Sequence, residues 1–269
     1  MPTTKELHEQ LVRHLETLVT GEDWTAMIDI AARFHDYSAR NVMLIHAQRP
    51  DATRVAGYHA WRKLGRNVKK GAKGIAILAP CPARTNGDND DAPQLARMNF
   101  RTTWVFDEAD TEGEELVDVR PVLLDGEAPH AVWISIAGLI EERGFTIDRR
   151  DCSPANGVTR WLDRTVSVRP HLEPAQAVKT LTHELGHIIS DHGAEPRPPR
   201  EIAEVEAESI AYIVCAYLGI ESDSYSFPYV ARWSDGDMNL VRTTADRVVS
   251  RSHEIITQLT TRQPAPALA

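Results

Sequence analysis

Five consecutive residues in the second half of the chain have the types and spacing of a hydrolytic metal site. His183-Glu184-Leu185-Gly186-His187 is an H-E-x-x-H pattern, in which two histidines stand four residues apart. On a helix, that spacing puts both imidazoles on one face, where they can bind a single zinc ion (Zn2+). Glu184 can then accept a proton from a water molecule that the zinc ion activates. The pattern predicts zinc-dependent hydrolysis with Glu184 as the general base.

A catalytic zinc ion needs a third protein ligand and one open coordination position. The three cysteines are widely separated, and the position six residues after His187 is a glycine, so neither supplies the ligand. The acidic stretch that follows contains Glu201, Glu204 and Glu208 on one helical face. We expect Glu204 to be the ligand, with Glu201 and Glu208 as alternatives. We expect Glu208 to accept a hydrogen bond from a ligand histidine.

Other residues near the pattern could support the reaction. His192 and Tyr212 are close enough in sequence to stabilise an oxyanion, whereas Glu206 is expected to point away from the metal. The stretch Thr165–Arg169 alternates polar and apolar residues, which is typical of a strand. It could pair with an extended peptide substrate at a sheet edge, or it could be an ordinary structural strand.

Two long helices must position the metal ligands. Pro174 suits the first turn of a helix that runs to about Ser190, and its apolar stripe would bury one face. A second helix is expected over about residues 201–218, ending at Gly219. A turn containing Asn156-Gly157 is expected before the first of these helices.

The first half of the chain predicts helices followed by short strands. Leucines recur at helical spacing near the N-terminus, and the apolar runs Ile75–Leu78 and Thr103–Phe106 predict strands. Between them, residues 82–93 are rich in Asn, Asp, Gly and Pro, which indicates a surface loop. An interdomain linker is expected near residue 125. The chain therefore predicts two domains, residues 1–125 and 126–269.

Composition and charge argue against a membrane protein and favour the cytoplasm. The net charge is −9 over 269 residues, yet residues 1–81 hold twelve Lys and Arg against eight Asp and Glu. The longest apolar run is far short of the roughly 18 residues that a membrane span needs, so no membrane association is expected. The odd, scattered cysteines and the lack of a secretory signal favour the cytoplasm.

The segment from Trp61 to Lys73 combines positive charge with aromatic residues. It carries six positive charges and no negative charge, and Tyr58 and His59 precede it. Cations bind phosphates and aromatic rings stack on unpaired bases, so this combination suits single-stranded nucleic acid. A solvated charged turn with a core tryptophan is the alternative interpretation.

Several stretches together resemble the ArdC-type antirestriction proteins of mobile elements. The N-terminal similarity covers residues 37–41, 55–58, 61–66, 68–71 and 74–80, and the C-terminal similarity covers 183–187, 204–219 and 229–233. The metal-binding half is also similar to ImmA/IrrE-type peptidases, which act on repressors. The resemblance implies an α+β protein, in which a small helical-plus-sheet domain that binds single-stranded DNA precedes a zincin-like metallopeptidase domain.

The resemblance also implies site residues. Zinc would be bound by His183, His187 and a glutamate of the acidic helix, where Glu204 aligns best. The residues expected to contact DNA are Tyr37, Asn41, Tyr58, Trp61, Arg62, Lys63, Arg66, Lys69, Lys70 and Lys73. The leading hypothesis is an antirestriction protein that binds single-stranded DNA and acts on an unknown protein or peptide substrate. The alternatives are a regulatory peptidase that cleaves a repressor and a DNA-binding protein whose zinc is only structural.

Overall fold

The computed structural model of the protein describes residues 2–18, 20–81, 99–116, 128–220, 227 and 230–262. The protein is α+β and its chain divides into two compact units. The first unit comprises residues 1–17 and 40–117, and the second comprises 18–39 and 118–269. The expected linker near residue 125 and the expected loop over 82–93 lie outside the described residues. Residues 18–39, which were expected in the N-terminal domain, belong to the second unit.

The elements follow one another in this order: α1 (Thr4–Leu15), α2 (Gly21–Arg33), α3 (Ala39–Gln48), β1 (Val55–Gly57), α4 (Tyr58–Lys63), β2 (Arg66–Val68), β3 (Ile75–Cys81), β4 (Asn99–Asp107), a 3-10 turn (Glu108–Asp110), β5 (Thr111–Gly113), α5 (Ala128–Glu142), β6 (Thr146–Arg149), β7 (Gly157–Arg160), β8 (Thr165–Val168), α6 (Pro174–Ile189), α7 (Arg200–Tyr217), α8 (Val230–Ser234) and α9 (Met238–Arg262). None of the described helices combines the length and the apolar character that crossing a membrane requires.

The first unit is built on a three-stranded antiparallel sheet in the order β1-β4-β3. Helix α1 packs on β3 and β4 through its buried leucines, and a capping box of Thr3 and Glu6 begins the helix. The outer edge of β3 is bound by two amide side chains of α3. Asn41 pairs with the backbone N–H and C=O of Leu78, and Gln48 pairs with those of Ala76, all at 2.9 Å. These amides satisfy an edge that would otherwise expose unpaired backbone groups.

The second unit carries the H-E-x-x-H pattern on α6, which packs against α5, α7 and strands β7 and β8. Helix α7 packs against α6, α9 and α2. Trp24 of α2 is fully buried, and its indole N–H donates to the Ser209 hydroxyl of α7 at 2.9 Å. This buried contact explains why residues 18–39 belong to the second unit. The sheet has the order β6-β8-β7, with β6 parallel and β7 antiparallel to β8.

Candidate functional site

Helix α6 presents His183 and His187 on one face because its other face is buried. Val178, Leu181 and Leu185 are at most 1% exposed and form the apolar stripe that the sequence predicts. The helix begins with Pro174 in its first turn, where a missing N–H is harmless. The two histidines are therefore held on a rigid element, one turn apart.

Helix α7 reaches these histidines because Gly186 has no side chain. A Cβ atom at Gly186 would lie 3.0 Å from the Cα atom and 3.1 Å from the carbonyl oxygen of Ala207. The two helices consequently approach closely at this point, which brings the glutamates of α7 to the histidine face of α6. The small residue inside the H-E-x-x-H pattern is thus part of how the site is assembled.

Three ligand atoms converge at this crossing. The Nε2 atoms of His183 and His187 are 3.1 Å apart. Oε2 of Glu204 lies 3.5 Å from the first nitrogen and 3.9 Å from the second. Atoms bound tetrahedrally to zinc at about 2.0–2.1 Å are about 3.3 Å apart, so these separations fit a bound cation. Among the described residues, His183, His187 and Glu204 form the one such cluster. Of the three candidate glutamates, Glu204 is the one whose carboxylate joins the two Nε2 atoms in this cluster.

The outer nitrogen of His183 is bound by a buried ion pair. Nδ1 of His183 lies 2.9 Å from Oε2 of Glu208, and Lys179 Nζ lies 3.1 Å from the other oxygen of Glu208. Burial lowers the pKa of His183, but its hydrogen bonds to Glu204 and Glu208 outweigh burial and raise it to about 10. Glu208 therefore lies where the sequence analysis expects it, whereas Lys179 was not anticipated.

The same cluster lowers the pKa of the second histidine and the pKa of the third ligand. Burial lowers the pKa of His187, and the positive charge of His183 lowers it further. The hydrogen bond from His183 lowers the pKa of Glu204. One imidazole is thus favoured as a cation and its neighbour as a neutral ring, an arrangement that a metal ion would replace by binding both Nε2 atoms.

Glu184 is held against strand β7. The Thr159 hydroxyl donates to Oε2 of Glu184 at 2.7 Å. A Cβ atom at Gly157 would lie 2.7 Å from Oε1 of Glu184, so only glycine lets the strand come this close. Burial raises the pKa of Glu184, although the neighbouring His183 and Thr159 oppose the rise. A carboxylate with a raised pKa beside a metal site is suited to proton transfer near neutral pH.

The ligands open into a cleft of about 590 Å³. Its walls are α6 and α7 on one side and residues 155–159 on the other. Strand β7 is the edge strand along this cleft, whereas β8 pairs with β6 and β7 on its two sides. Of the two interpretations of Thr165–Arg169, the pairing of β8 on both sides favours the ordinary structural strand over the free edge. The residues expected to form a turn at Asn156-Gly157 instead lead directly into β7.

The structure also changes the roles of three residues around the ligands. His192 contacts Nδ1 of His187 through its own Nδ1, at 2.8 Å, and its Nε2 lies 2.9 Å from Glu206. Both ring nitrogens are engaged, so His192 is not placed to stabilise an oxyanion. Tyr212 donates its hydroxyl proton to Asp29 instead. Glu206 faces Arg247 and not the cleft, as expected, but it is also hydrogen-bonded to His192, which contacts His187.

Two of the residues expected to contact DNA are buried in the first unit. Trp61 is 1% exposed, and its indole N–H donates to the Phe106 carbonyl at 2.8 Å. Asn41 is buried and pairs with the β3 edge. Neither side chain presents a face on which a base could stack, so we reassign both to the packing of this unit.

Some of the other residues expected to contact DNA already bind groups of the protein, and others are exposed. Arg66 binds Thr111 and Glu114, and Lys69 donates to the Ala109 carbonyl, so both stabilise the β2–β5 region. Tyr37 is half-buried and belongs to the second unit. Tyr58 is 46% exposed. The other four have exposed side chains that form no hydrogen bond or ion pair with the described part of the chain: Arg62, Lys63, Lys70 and Lys73.

The chain is similar to known proteins in its N-terminal domain and over most of its length. Residues 1–124 match the family described as the N-terminal domain of anti-restriction factor ArdC. An uncharacterised protein of Bacillus anthracis is 22% identical over an alignment of 304 positions, which covers 93% of this chain. The chain spans about half the length of that curated relative.

Two solved structures share the fold. The metal-free structure of the antirestriction ArdC protein from the R388 plasmid is 18% identical, with a TM-score of 0.53, and the match covers 85% of this chain and 87% of that one. The Mn(II)-bound structure of the same protein gives a TM-score of 0.51, again with 18% identity, over 84% and 86% of the two chains. Residues 1–124 thus match the N-terminal domain of anti-restriction factor ArdC, and the chain shares the fold of the R388 ArdC protein.

Proposed function

We propose that this protein is an ArdC-type antirestriction protein that binds single-stranded DNA through its first unit and a catalytic zinc ion through its second. The observation that carries the proposal is the convergence of His183, His187 and Glu204 next to a buried, restrained Glu184 in an open cleft. The free cysteines agree with a reducing cytoplasm, where incoming DNA would need protection.

Zinc is our choice of metal because of the donor set. Two imidazoles and one carboxylate form a common catalytic zinc site, and three ligands leave a fourth position open. The related R388 protein binds Mn(II) in its solved structure, so manganese is the competing metal. Elemental analysis of protein purified without added metal, followed by competition between Zn2+ and Mn2+, tests the choice. Retention of manganese in the presence of equimolar zinc would contradict it.

The proposed chemistry is hydrolysis of a peptide bond. When bound, zinc would supply Lewis acidity at its open position. Glu184 would accept the proton of an attacking water molecule, with Thr159 fixing one carboxylate oxygen. Strand β7 would bind an extended substrate by edge addition, because it lines the cleft and, among the described strands, pairs only with β8.

The substitution Glu184→Gln tests this chemistry. It keeps the size of the side chain and its contact with Thr159 while removing the base. We expect the variant to bind zinc and DNA as the wild type does but to lose cleavage of unstructured peptides by at least a hundredfold, since general-base catalysis contributes about 10²–10⁴. Equal cleavage by both proteins would remove Glu184 from the mechanism.

A second candidate function is a regulatory peptidase that cleaves a repressor, and the cleft along β7 favours it. In that case Glu184→Gln would abolish function in cells although DNA binding remains intact. If zinc serves only stability, the same substitution would be silent in cells, whereas His183→Ala would lower the melting temperature.

The proposed DNA contacts are Tyr58 and four exposed side chains of the segment Trp61–Lys73, called the basic segment below: Arg62, Lys63, Lys70 and Lys73. Cations without partners in the described structure can bind phosphates without breaking an existing contact. The exposed ring of Tyr58 can stack on an unpaired base. Binding of a labelled single-stranded oligonucleotide at several salt concentrations tests this part, because phosphate contacts make affinity fall steeply with salt. An affinity independent of salt would contradict it.

A further inference from the structure

A continuous chain of hydrogen bonds runs from the metal-facing His187 to the far side of α7. Its links are His187 to His192 at 2.8 Å, His192 to Glu206 at 2.9 Å, and Arg247 to the two Glu206 oxygens at 2.9 and 3.1 Å. Glu206 and His192 are almost completely buried, and Arg247 of α9 is partly exposed. A buried carboxylate needs such compensation, since an unpaired charge in the interior is very costly.

The end of α6 places His192 against His187. Asp191 has φ +60° in the left-handed region, which aspartate tolerates better than most residues. The backbone N–H of His192 donates to the carbonyl of His187, and the N–H of Asp191 donates to that of Ile188, both at 3.1 Å. These two bonds are those of a Schellman motif, which brings the second residue beyond the helix back over its last turn. A hydrophobic contact usually fills that position, and here an imidazole pair fills it.

The geometry determines where the protons lie when His187 binds a metal through Nε2. Its Nδ1 then carries the proton and donates to Nδ1 of His192, which must accept through a lone pair. His192 therefore carries its own proton on Nε2 and donates it to Glu206. The Arg247 guanidinium donates to both oxygens of Glu206, and Glu206 accepts the hydrogen bond from Nε2 of His192.

We propose that His192 is a positioning residue for the metal ligand His187. Glu206 and Arg247 hold His192 in the tautomer whose Nδ1 accepts the hydrogen bond from His187. The inference rests on the metal site proposed above and adds three residues to it. The two ligand histidines are then supported differently. His183 donates directly to a carboxylate, Glu208, whereas a neutral imidazole separates His187 from its carboxylate. Each carboxylate is paired with a cation, Lys179 or Arg247.

Zinc affinity, measured by competition with a chromophoric chelator, tests the proposal. His192→Leu removes the acceptor and should weaken Zn2+ binding by about 10–100-fold, the usual effect of losing such an outer contact. His192→Asn keeps an acceptor oxygen close to the position of Nδ1 and should recover most of the loss. His253→Leu is the matched control, because it removes a half-buried histidine of α9 that does not line the cleft. It should bind zinc as the wild type does.

Two results would overturn the proposal: wild-type affinity in His192→Leu, or an equal loss in His192→Asn and His192→Leu. If His192→Leu does not fold, the 15N chemical shifts of the imidazoles in the zinc-loaded wild type decide. A proton on Nε2 of His192 supports the proposal, and a proton on Nδ1 contradicts it. Failure of the wild type itself to bind zinc would instead refute the metal site, so the two failures are distinguishable.

Discussion

Side-chain positions could be predicted from the sequence for the metal cluster of the second unit but not for the basic segment of the first unit. In the metal cluster, residues chosen by helical spacing do converge, because α6 and α7 are rigid and each side chain has a defined direction. In the basic segment, charge and aromatic content identify a region but not the direction of its side chains. Of its members, Trp61 is buried and Arg66 binds backbone and hydroxyl groups of β5 and the residue after it. Spacing on a helix predicts the direction in which each side chain points. A run of charges in turns identifies a charged region but does not predict which of its side chains are exposed.

The largest expected effect is on the salt dependence of DNA binding, when the four exposed cations of the basic segment are replaced. Replacing Arg62, Lys63, Lys70 and Lys73 with glutamine should reduce the slope of log affinity against log salt by about 2.8, since each contact on a single strand contributes about 0.7. Fluorescence anisotropy with a labelled oligonucleotide measures the slope. Substituting Lys5 and Arg13 of α1 with glutamine, compared with the Lys70/Lys73 pair, serves as the matched control. A similar change in both pairs would mean that binding depends on net charge alone.

An intermediate effect should separate the buried residues from the exposed ones. Asn41→Leu leaves the N–H and C=O of Leu78 without partners and should lower the free energy of unfolding by about 2–4 kcal/mol. The folded protein should keep its DNA affinity. Chemical denaturation and anisotropy on the same samples check both statements.

Tyr58→Ala should show the opposite pattern. The side chain is exposed, so stability should be unchanged, while affinity should fall by about 1–3 kcal/mol through loss of stacking. A loss of DNA affinity in Asn41→Leu equal to that in Tyr58→Ala would return Asn41 to the contact surface.

The smallest effect concerns the strand that holds the proposed base. In Gly157→Ala, the new methyl group would lie 2.7 Å from both Oε1 of Glu184 and Cγ2 of Thr180. We expect a cost of about 1–3 kcal/mol in stability from overpacking. Peptide cleavage should fall while zinc content stays at the wild-type level. Gly57→Ala is the matched control, because a Cβ atom added at Gly57 would meet no non-neighbouring described atom within 4 Å. Full cleavage by Gly157→Ala would show that the position of Glu184 is not restricted by β7.

Much of the fold could be predicted from periodicity, and the exceptions have physical causes. Helices α6 and α7 follow from their apolar stripes and end signals. Strand β7 has four residues and begins at a glycine that reads as a turn, so tertiary pairing with β8 decides its conformation. Residues 18–39 belong to the second unit because Trp24 packs there, a long-range contact that local pattern does not report.

The sequence could predict the candidate metal ligands but not the residues His192 and Glu206 that position them. His183 and His187 follow from the spacing of the H-E-x-x-H pattern, whereas helical spacing leaves Glu201, Glu204 and Glu208 as candidates on one face. His192 depends on a helix end that uses aspartate rather than the usual glycine in the left-handed position, so the usual sequence signal is missing. Glu206 lies between Glu204 and Glu208 along the helix, yet it faces α9 and Arg247 rather than the cleft.

The measurement that tests the central claim most directly is the zinc content of the wild type and of His183→Ala, determined on samples whose single-stranded DNA affinity is measured in parallel. The account predicts one zinc ion per chain in the wild type, none in the variant, and equal DNA affinity in both. Zinc retained by His183→Ala, or absent from the wild type after incubation with excess Zn2+ and removal of the unbound metal, would contradict it.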